Sequence, residues 1–559
     1  MMRYDFRRKR VIWLILAVTA LLCAAMLLFL RLDAEDYDER LRFILNGWNM
    51  QEALTGAWDA DEEDADVRWL FLPQSVADLG DVTLDCDEDM QIHVTDGEGN
   101  EILLKSGDTL APLQMDTMYN VCMNSRSNPF KKTIRLKIGR VSDLPTVCLT
   151  LNGSVENLEQ KKGKKERAVI TTLNADGTSD VSGTGKVRIH GNTSWYDPKH
   201  SFNISLSDPE SLLGMGKQSK WILISNYEDA SNLLNIIAYT LQLKSGGSYT
   251  PECRYVNLYV NDQYQGLYLL IQKIDIAGGC VHLKNLEGAN KKGTPEDITG
   301  GYLMELCGEK TYEEGIGFTT KRRYVALKSP NNAIDSELNY ITQRVRKAED
   351  ALYSEDETAY LDYFDEESFA LQYLLQEFMI NGDTELNSEF IWLDAGGENQ
   401  KIHAGPGWDF DRSLWRCTED GVSELHSLHI KGLKEDLEPE GQASTRLWLP
   451  QLDTKEHFQK TLKDLYLNTF SPAAQKVIEE DIPRWTEETS LSSAADDILW
   501  RYGDGSYTDR AESVRDNLQT RKEFLDEWFT DPNQFKLITT SQPGQRFDLV
   551  EAVSNTSQP

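Results

Sequence analysis

The stretch from Asn381 to Trp415, NGDTELNSEFIWLDAGGENQKIHAGPGWDFDRSLW, constrains the fold more than any other. Two strand-like runs, Phe390 to Leu393 and Lys401 to Ala404, flank a Gly396-Gly397-Glu398-Asn399 turn cluster, a pattern that predicts a hairpin. A hairpin brings its two ends together. Asp383 and Asn387 at its entrance should therefore face Asp409 and Asp411 at its exit. Three carboxylates and an amide on one loop suit a hard divalent cation, which takes oxygen ligands and shares them with phosphate. The bland alternative is that these residues only cap turns, where Asp and Asn are favoured anyway.

Length and charge narrow the classes. A chain of 559 residues exceeds one core and predicts three or four units. Its net charge of −33 excludes a basic nucleic-acid footprint, so no nucleic-acid partner is expected. Val11 to Leu30 is an unbroken apolar run behind Arg3, Arg7, Arg8, Lys9 and Arg10, long enough to cross a bilayer. The positive-inside tendency places the N-terminus in the cytoplasm, with the main domain extracytoplasmic on a single-pass cell-membrane anchor. A cleaved signal peptide is the other reading. Seven cysteines at wide intervals outside the run predict neither a disulfide framework nor a zinc site, although Cys86 and Cys122 could pair.

Along the chain, residues 1–31 read as basic N-terminus and transmembrane helix. Residues 32–66 read as an acidic spacer with a short helix over Tyr37 to Trp48. Short alternating segments over 67–143 predict a small all-β module. From Leu144 onward strands dominate, with one helix over Leu233 to Leu243. After Asp383 the chain turns helical, over Phe458–Asn468, Pro472–Trp485, Ser492–Tyr502 and Arg510–Phe529. The tail, 536–559, is polar and expected to lack structure. Between strands, Gly185 to Trp195 forms a small polar segment whose backbone N–H groups could approach phosphate near Asn192, and Lys199 follows as a candidate phosphate-pairing cation. An ordinary hairpin turn and a surface lysine are the plainer readings.

Several of these stretches together resemble the spore-coat protein H (CotH) kinase family. The carriers are Gly191-Asn192-Thr193-Ser194-Trp195 with Pro198-Lys199, Lys220-Trp221 with Asn226 and Asp229, and Val256 to Asn261 running into Tyr264 to Leu269. Gly300 to Glu305, Asp383 with Asn387, Trp408-Asp409-Phe410-Asp411, and Arg521 with Leu525-Asp526 complete the set. The resemblance spans about residues 144 to 530, and the domain is taken as 144–535. It implies an α+β, two-lobed protein-kinase-like domain, with a strand-rich N-lobe and a helical C-lobe, preceded here by the all-β module and one transmembrane helix.

The family implies phosphoryl transfer from ATP to Ser or Thr of a protein substrate, with Mg²⁺ or Mn²⁺. Carried over, Asp383 is the catalytic-loop aspartate, Asn387, Asp409 and Asp411 are metal-binding, and Asn192 and Lys199 are cofactor-binding. This chain has His190 where the family usually has Arg, Ser205 where it often has a basic residue, and Gln272 where it has Glu. A second reading is a non-enzymatic surface protein that binds a cell-envelope component through some of its 13 tryptophans. Glu424, His426 and His429 lack the helical His-Glu-x-x-His pattern of a metallohydrolase, and no Gly-x-Ser-x-Gly elbow occurs.

Overall fold

The computed structural model describes residues 42–45, 47–51, 53–54, 67–125, 132–293, 295–308, 315–384, 387–397, 399–414, 424–432, 447–500, 505–531, 536–538 and 548–550. The chain divides into two compact units. The first comprises residues up to Asp143 with Tyr259–Gly266 and Ala495–Arg501, and the second comprises the remainder.

Up to Asp143 the described residues of the first unit form strands and turns, with one short 3₁₀ turn at Leu79–Asp81. Strands β1 (Arg42–Leu45), β2 (Trp48–Met50) and β5 (Val82–Asp85) form one sheet in the order β2-β1-β5. The short helix expected over Tyr37 to Trp48 is therefore replaced, over its described residues, by strand β1 and the start of β2, whose Phe43 and Leu45 alternate inward. Strands β3 (Ala53–Leu54), β4 (Val67–Pro73), β6 (Met90–Thr95), β7 (Glu101–Leu104), β8 (Met118–Ser125) and β9 (Lys132–Val141) form a six-stranded sheet in which β4 and β9 run parallel.

The second unit begins with seven strands that close into a barrel: β10 (Thr146–Leu151), β11 (Glu166–Leu173), β12 (Ser179–Ile189), β13 (Phe202–Glu210), β14 (Gln218–Ile224), β15 (Cys253–Val260) and β16 (Gln263–Gln272). Val187, Ile204 and Trp221 are register partners across β12, β13 and β14 and are all buried. Their alternates on β14, Ile222 and Ile224, turn to the other face and join a second core. That core also takes in helix α1 (Leu234–Lys244), α2 (Asp335–Leu352), α3 (Glu366–Met379), α4 (Ile482–Trp500) and α5 (Tyr507–Thr530). It includes the sheet β18-β19-β17-β20-β21, built from β17 (Tyr302–Cys307), β18 (Gly317–Thr319), β19 (Tyr324–Ser329), β20 (Glu389–Leu393) and β21 (His403–Ala404).

Two expectations are corrected here. The architecture is mixed α+β, but it is not two-lobed and kinase-like. The strand-rich part closes on itself as a barrel, and one continuous core runs from Ile222 to Phe529 through strands and helices alike, leaving no boundary between a strand lobe and a helix lobe. The expected transmembrane helix, Val11 to Leu30, lies outside the described residues. Among the described residues no helix is long and apolar enough to cross a membrane, because the long ones, such as α2 and α5, carry charges along their length. In the tail expected to lack structure, Lys536–Ile538 and Asp548–Val550 pair antiparallel. Cys86 and Cys122 are free thiols, as are Cys253, Cys280 and Cys307, and burial pushes the last three up to about 12. Cys417 lies outside the described residues.

At the centre of the helical region, Glu377 on α3 and Arg521 on α5 form a fully buried ion pair. The Glu377 carboxylate accepts the N–H groups of His429 and Ile430, both at 2.7 Å. Arg521 donates to the carbonyls of Glu377 at 2.8 Å and Leu425 at 3.0 Å. Truncating either partner strands the other charge without water, so Arg521→Ala should destabilise the chain by about 3 to 5 kcal/mol. Chemical denaturation followed by circular dichroism measures this, and a loss below about 1 kcal/mol would contradict the assigned importance of the pair.

Candidate functional site

The hairpin expected over residues 390–404 forms as β20 and β21, with Ile391 opposite Ala404 and Trp392 opposite His403. Its two ends meet at a cavity of about 1000 Å³ within the second unit. Asp383, Asn387, Asp409 and Asp411 all line it, and so does Asn192. Lys199 does not. Its side chain is fully buried and its ammonium donates to the carbonyls of Ser225 at 2.9 Å and Leu267 at 2.7 Å, over the ring of Tyr268. Lysine here ties the β13 edge to β14 and β16.

The Asp383 loop is set by the end of α3. The helix stops at Ile380, which adopts the left-handed conformation at φ 48°, an uncommon place for a β-branched residue. Asn381 follows, 2% exposed, and its side chain serves both halves of the hairpin. Its Oδ1 accepts from the Asp383 N–H at 3.2 Å and its Nδ2 donates to the Asp409 carbonyl at 3.3 Å. His429, itself buried, donates through Nε2 to the Asn381 carbonyl at 3.0 Å. Its place is thus structural, in support of the loop. Asn387 accepts the Gly308 N–H on Oδ1 at 2.9 Å.

Helix α1 holds the other side. Asp229 caps its N-terminus, accepting from the Leu234 N–H at 2.8 Å. In its first turn Asn235 Oδ1 accepts the Phe410 N–H at 3.0 Å, and two turns on Gln242 Oε1 accepts the Gly407 N–H at 2.9 Å. Trp408 stacks on Tyr239 with centroids 6.1 Å apart, while Phe410 is fully buried. With Phe410 locked inward, Asp409 and Asp411 on either side of it are left to line the cavity.

Three non-glycine residues lining the cavity hold positive φ: Asn226 at 52°, Ser388 at 61° and Asp409 at 67°. Each costs on the order of 1 kcal/mol, and such strain persists where surrounding structure over-determines it. Ser388 Oγ donates to Asp409 Oδ2 at 2.8 Å. Asn226 is 2% exposed; its Oδ1 accepts from Asn235 Nδ2 at 3.1 Å, while its Nδ2 has no partner among the described residues. A buried donor of this kind on a cavity wall suits an acceptor-rich ligand.

Charge is concentrated here. Burial above all, with the nearby charges of Asp383 and Glu305, raises the Asp409 carboxyl to about 6 against the opposing Ser388 hydroxyl and Arg412. Burial also lifts Asp411 well above the carboxylate range, with Asp409, Asp229 and Asp383 adding to it. Asp383 is raised by burial against the pull of Arg412. His190 is pushed down to about 3 by burial and by Arg188 and Lys273. It is therefore a neutral imidazole, with Nδ1 accepting from Asn203 Nδ2 at 2.8 Å.

Sequence reasoning gave no role to Glu305 and overlooked Lys328, which form an ion pair at 2.6 Å across β17 and β19 and line the same cavity. A lone acidic residue in the apolar run Tyr302 to Cys307 was the available signal. Gln272, flagged by sequence for lacking a carboxylate, is buried in the barrel and accepts from the Glu252 N–H at 3.0 Å.

The donor set fits a hard divalent cation. It is made of carboxylate and amide oxygens whose mutual repulsion a cation relieves, and Asn226 offers a donor to bound phosphate. Among the described residues no group of three or more His, Cys, Asp or Glu side chains is placed to hold a metal ion by itself.

The sign of the Asp409 shift is testable. A native-state value raised from 3.8 to about 6 means its contribution to stability is fully present below 3.8 and lost as pH rises through about 6. Asp409→Asn should therefore stabilise the metal-free chain at pH 7 by on the order of 1 to 3 kcal/mol and flatten its stability profile across that window. Denaturant melts at several pH values check this. Lys199→Ala, by contrast, should cost roughly 2 to 5 kcal/mol through its two stranded carbonyls, without changing ligand affinity at the cavity.

Residues 187–531, more than half of the chain, match the family model described as CotH kinase protein. A search of curated proteins finds no match. The matched span contains all but a few residues of the cavity wall, including both ends of the hairpin. The chain therefore belongs to the CotH kinase family.

Proposed function

We propose that the cavity is the active site of a kinase that transfers phosphate from ATP to Ser or Thr of a protein substrate with Mg²⁺ or Mn²⁺. The observation that carries this reading is the convergence of Asp383, Asp409 and Asp411, each lifted by burial and the last two also by neighbouring carboxylates, with Asn387 on the lining of one cavity. Family membership supports phosphoryl transfer as the reaction class and a place at the spore coat or cell surface.

When bound, ATP supplies the phosphoryl group and the divalent ion offsets the charge of its phosphates. Asp409, Asp411 and Asn387 hold the ion. Asp383 orients the acceptor hydroxyl and takes up its proton, a task for which a raised carboxyl is suited. Asn226 Nδ2 and the Gly191–Ser194 loop donate to phosphate oxygens, and Lys328, aimed by Glu305, adds a cation. Ile222, Ile224 and Leu327 give the cavity an apolar wall for the base.

ATP binding to the full-length chain, with and without Mg²⁺ or Mn²⁺, tests this. Metal-dependent binding should be lost in Asp409→Ala and should weaken in the wild type as pH falls through about 6, where protonated Asp409 no longer attracts the ion. Asp383→Ala should keep ATP binding and lose transfer by roughly 10²-fold or more. No ATP binding by a folded chain would sink the reading and favour a binding protein for a cell-envelope component.

A further inference from the structure

The outer face of the barrel carries its charge in rows. Arg188, Asn203 and Ile222 are register partners across β12, β13 and β14 and line the cavity. Two residues further along each strand, a rise of about 6.6 Å, the partners are Arg167, Lys186, Ser205 and Lys220. The next row, Val169, Thr184 and Ser207, is uncharged. The basic row therefore borders the cavity and stops there.

Arg167 and Lys186 are directly opposed on neighbouring strands, both exposed, with no carboxylate partner among the described residues. Like charges placed so repel, and here the chain leaves them unanswered despite a net charge of −33. Lys220 alone in the row has a carboxylate, Asp275 at 2.8 Å. The turn before β11 adds exposed Lys161 and Lys165, and Lys162 lines the cavity while donating to Asn192 Oδ1 at 2.9 Å. A positive strip on a strongly negative molecule selects a partner by focusing attraction at one place.

We propose that the strip from Arg167 to Lys220, with Lys161 and Lys165, docks an Asp/Glu-rich segment flanking the acceptor Ser or Thr of the protein substrate. The substrate class is then an acidic peptide, delivered to the cavity from the β11–β12 side. This rests on the kinase reading for its acceptor residue, but docking itself needs no nucleotide.

The test is fluorescence anisotropy on the full-length chain with a labelled peptide carrying one serine beside a run of glutamates, against the same peptide with glutamines. The glutamate peptide should bind more tightly and weaken with salt, and Arg167→Glu with Lys186→Glu should reduce its affinity by roughly tenfold or more while leaving ATP binding unchanged. Lys186→Glu alone, which removes the repulsion, should melt no lower than wild type and still weaken the peptide. Equal binding of both peptides, or wild-type affinity in the double variant, overturns the proposal. So does loss of ATP binding in the double variant, which would assign the strip to nucleotide phosphates, and so does a preference for an anionic glycan over the peptide. Absence of ATP binding in the wild type would instead remove the kinase reading and leave the peptide result standing.

Discussion

Glu377 and Arg521 form an ion pair shut away from solvent, and their remaining polar groups are answered by the surrounding backbone. Separated widely in sequence, they sit on α3 and α5 and draw in the segment from Leu425 to Ile430 through backbone groups. That segment carries His429, which holds Asn381, which in turn holds both Asp383 and Asp409. A buried pair gives little net stability over an apolar substitute, but it allows one geometry only. The Asp383 loop inherits that geometry through a short chain of hydrogen bonds.

The cavity is the opposite case. Its carboxylates repel one another, three of its residues sit at unfavourable φ, and a buried amide donor on its wall is left without a protein partner. None of these features is paid for within the cavity; the large core shared by helices and strands carries the cost. Such local conflict in an otherwise consistent structure is what a site for a charged ligand requires, because the ligand supplies the missing counter-charge.

The hairpin was legible because its signal is local: alternating apolar residues about a Gly/Asn turn dictate pairing, and pairing dictates that Asp383 and Asp409 approach. Helix α1 was legible for the same reason, from apolar spacing. The place of Lys199 was not legible, since a lysine after a polar loop reads the same in sequence whether it faces solvent, phosphate or two carbonyls. The strands at Phe43 and Trp48 were mistaken for a helix because four- and three-residue strands give too short a pattern to separate period 2 from period 3.6.

By itself the sequence determined most barrel strands, helix α1, the hairpin and the acidic residues at its ends, since each depends on neighbours within a few residues, but not α2 and α3, which lie before Asp383 where one helix alone was expected. Only the tertiary structure decided that the strands close into a barrel, that a core shared by strands and helices denies a division into lobes, and that Lys328 with Glu305 and Asn226 complete the cavity. Those outcomes depend on which surfaces meet across hundreds of residues. Burial, not spacing, is also what raises Asp409, and burial is a property of the folded whole.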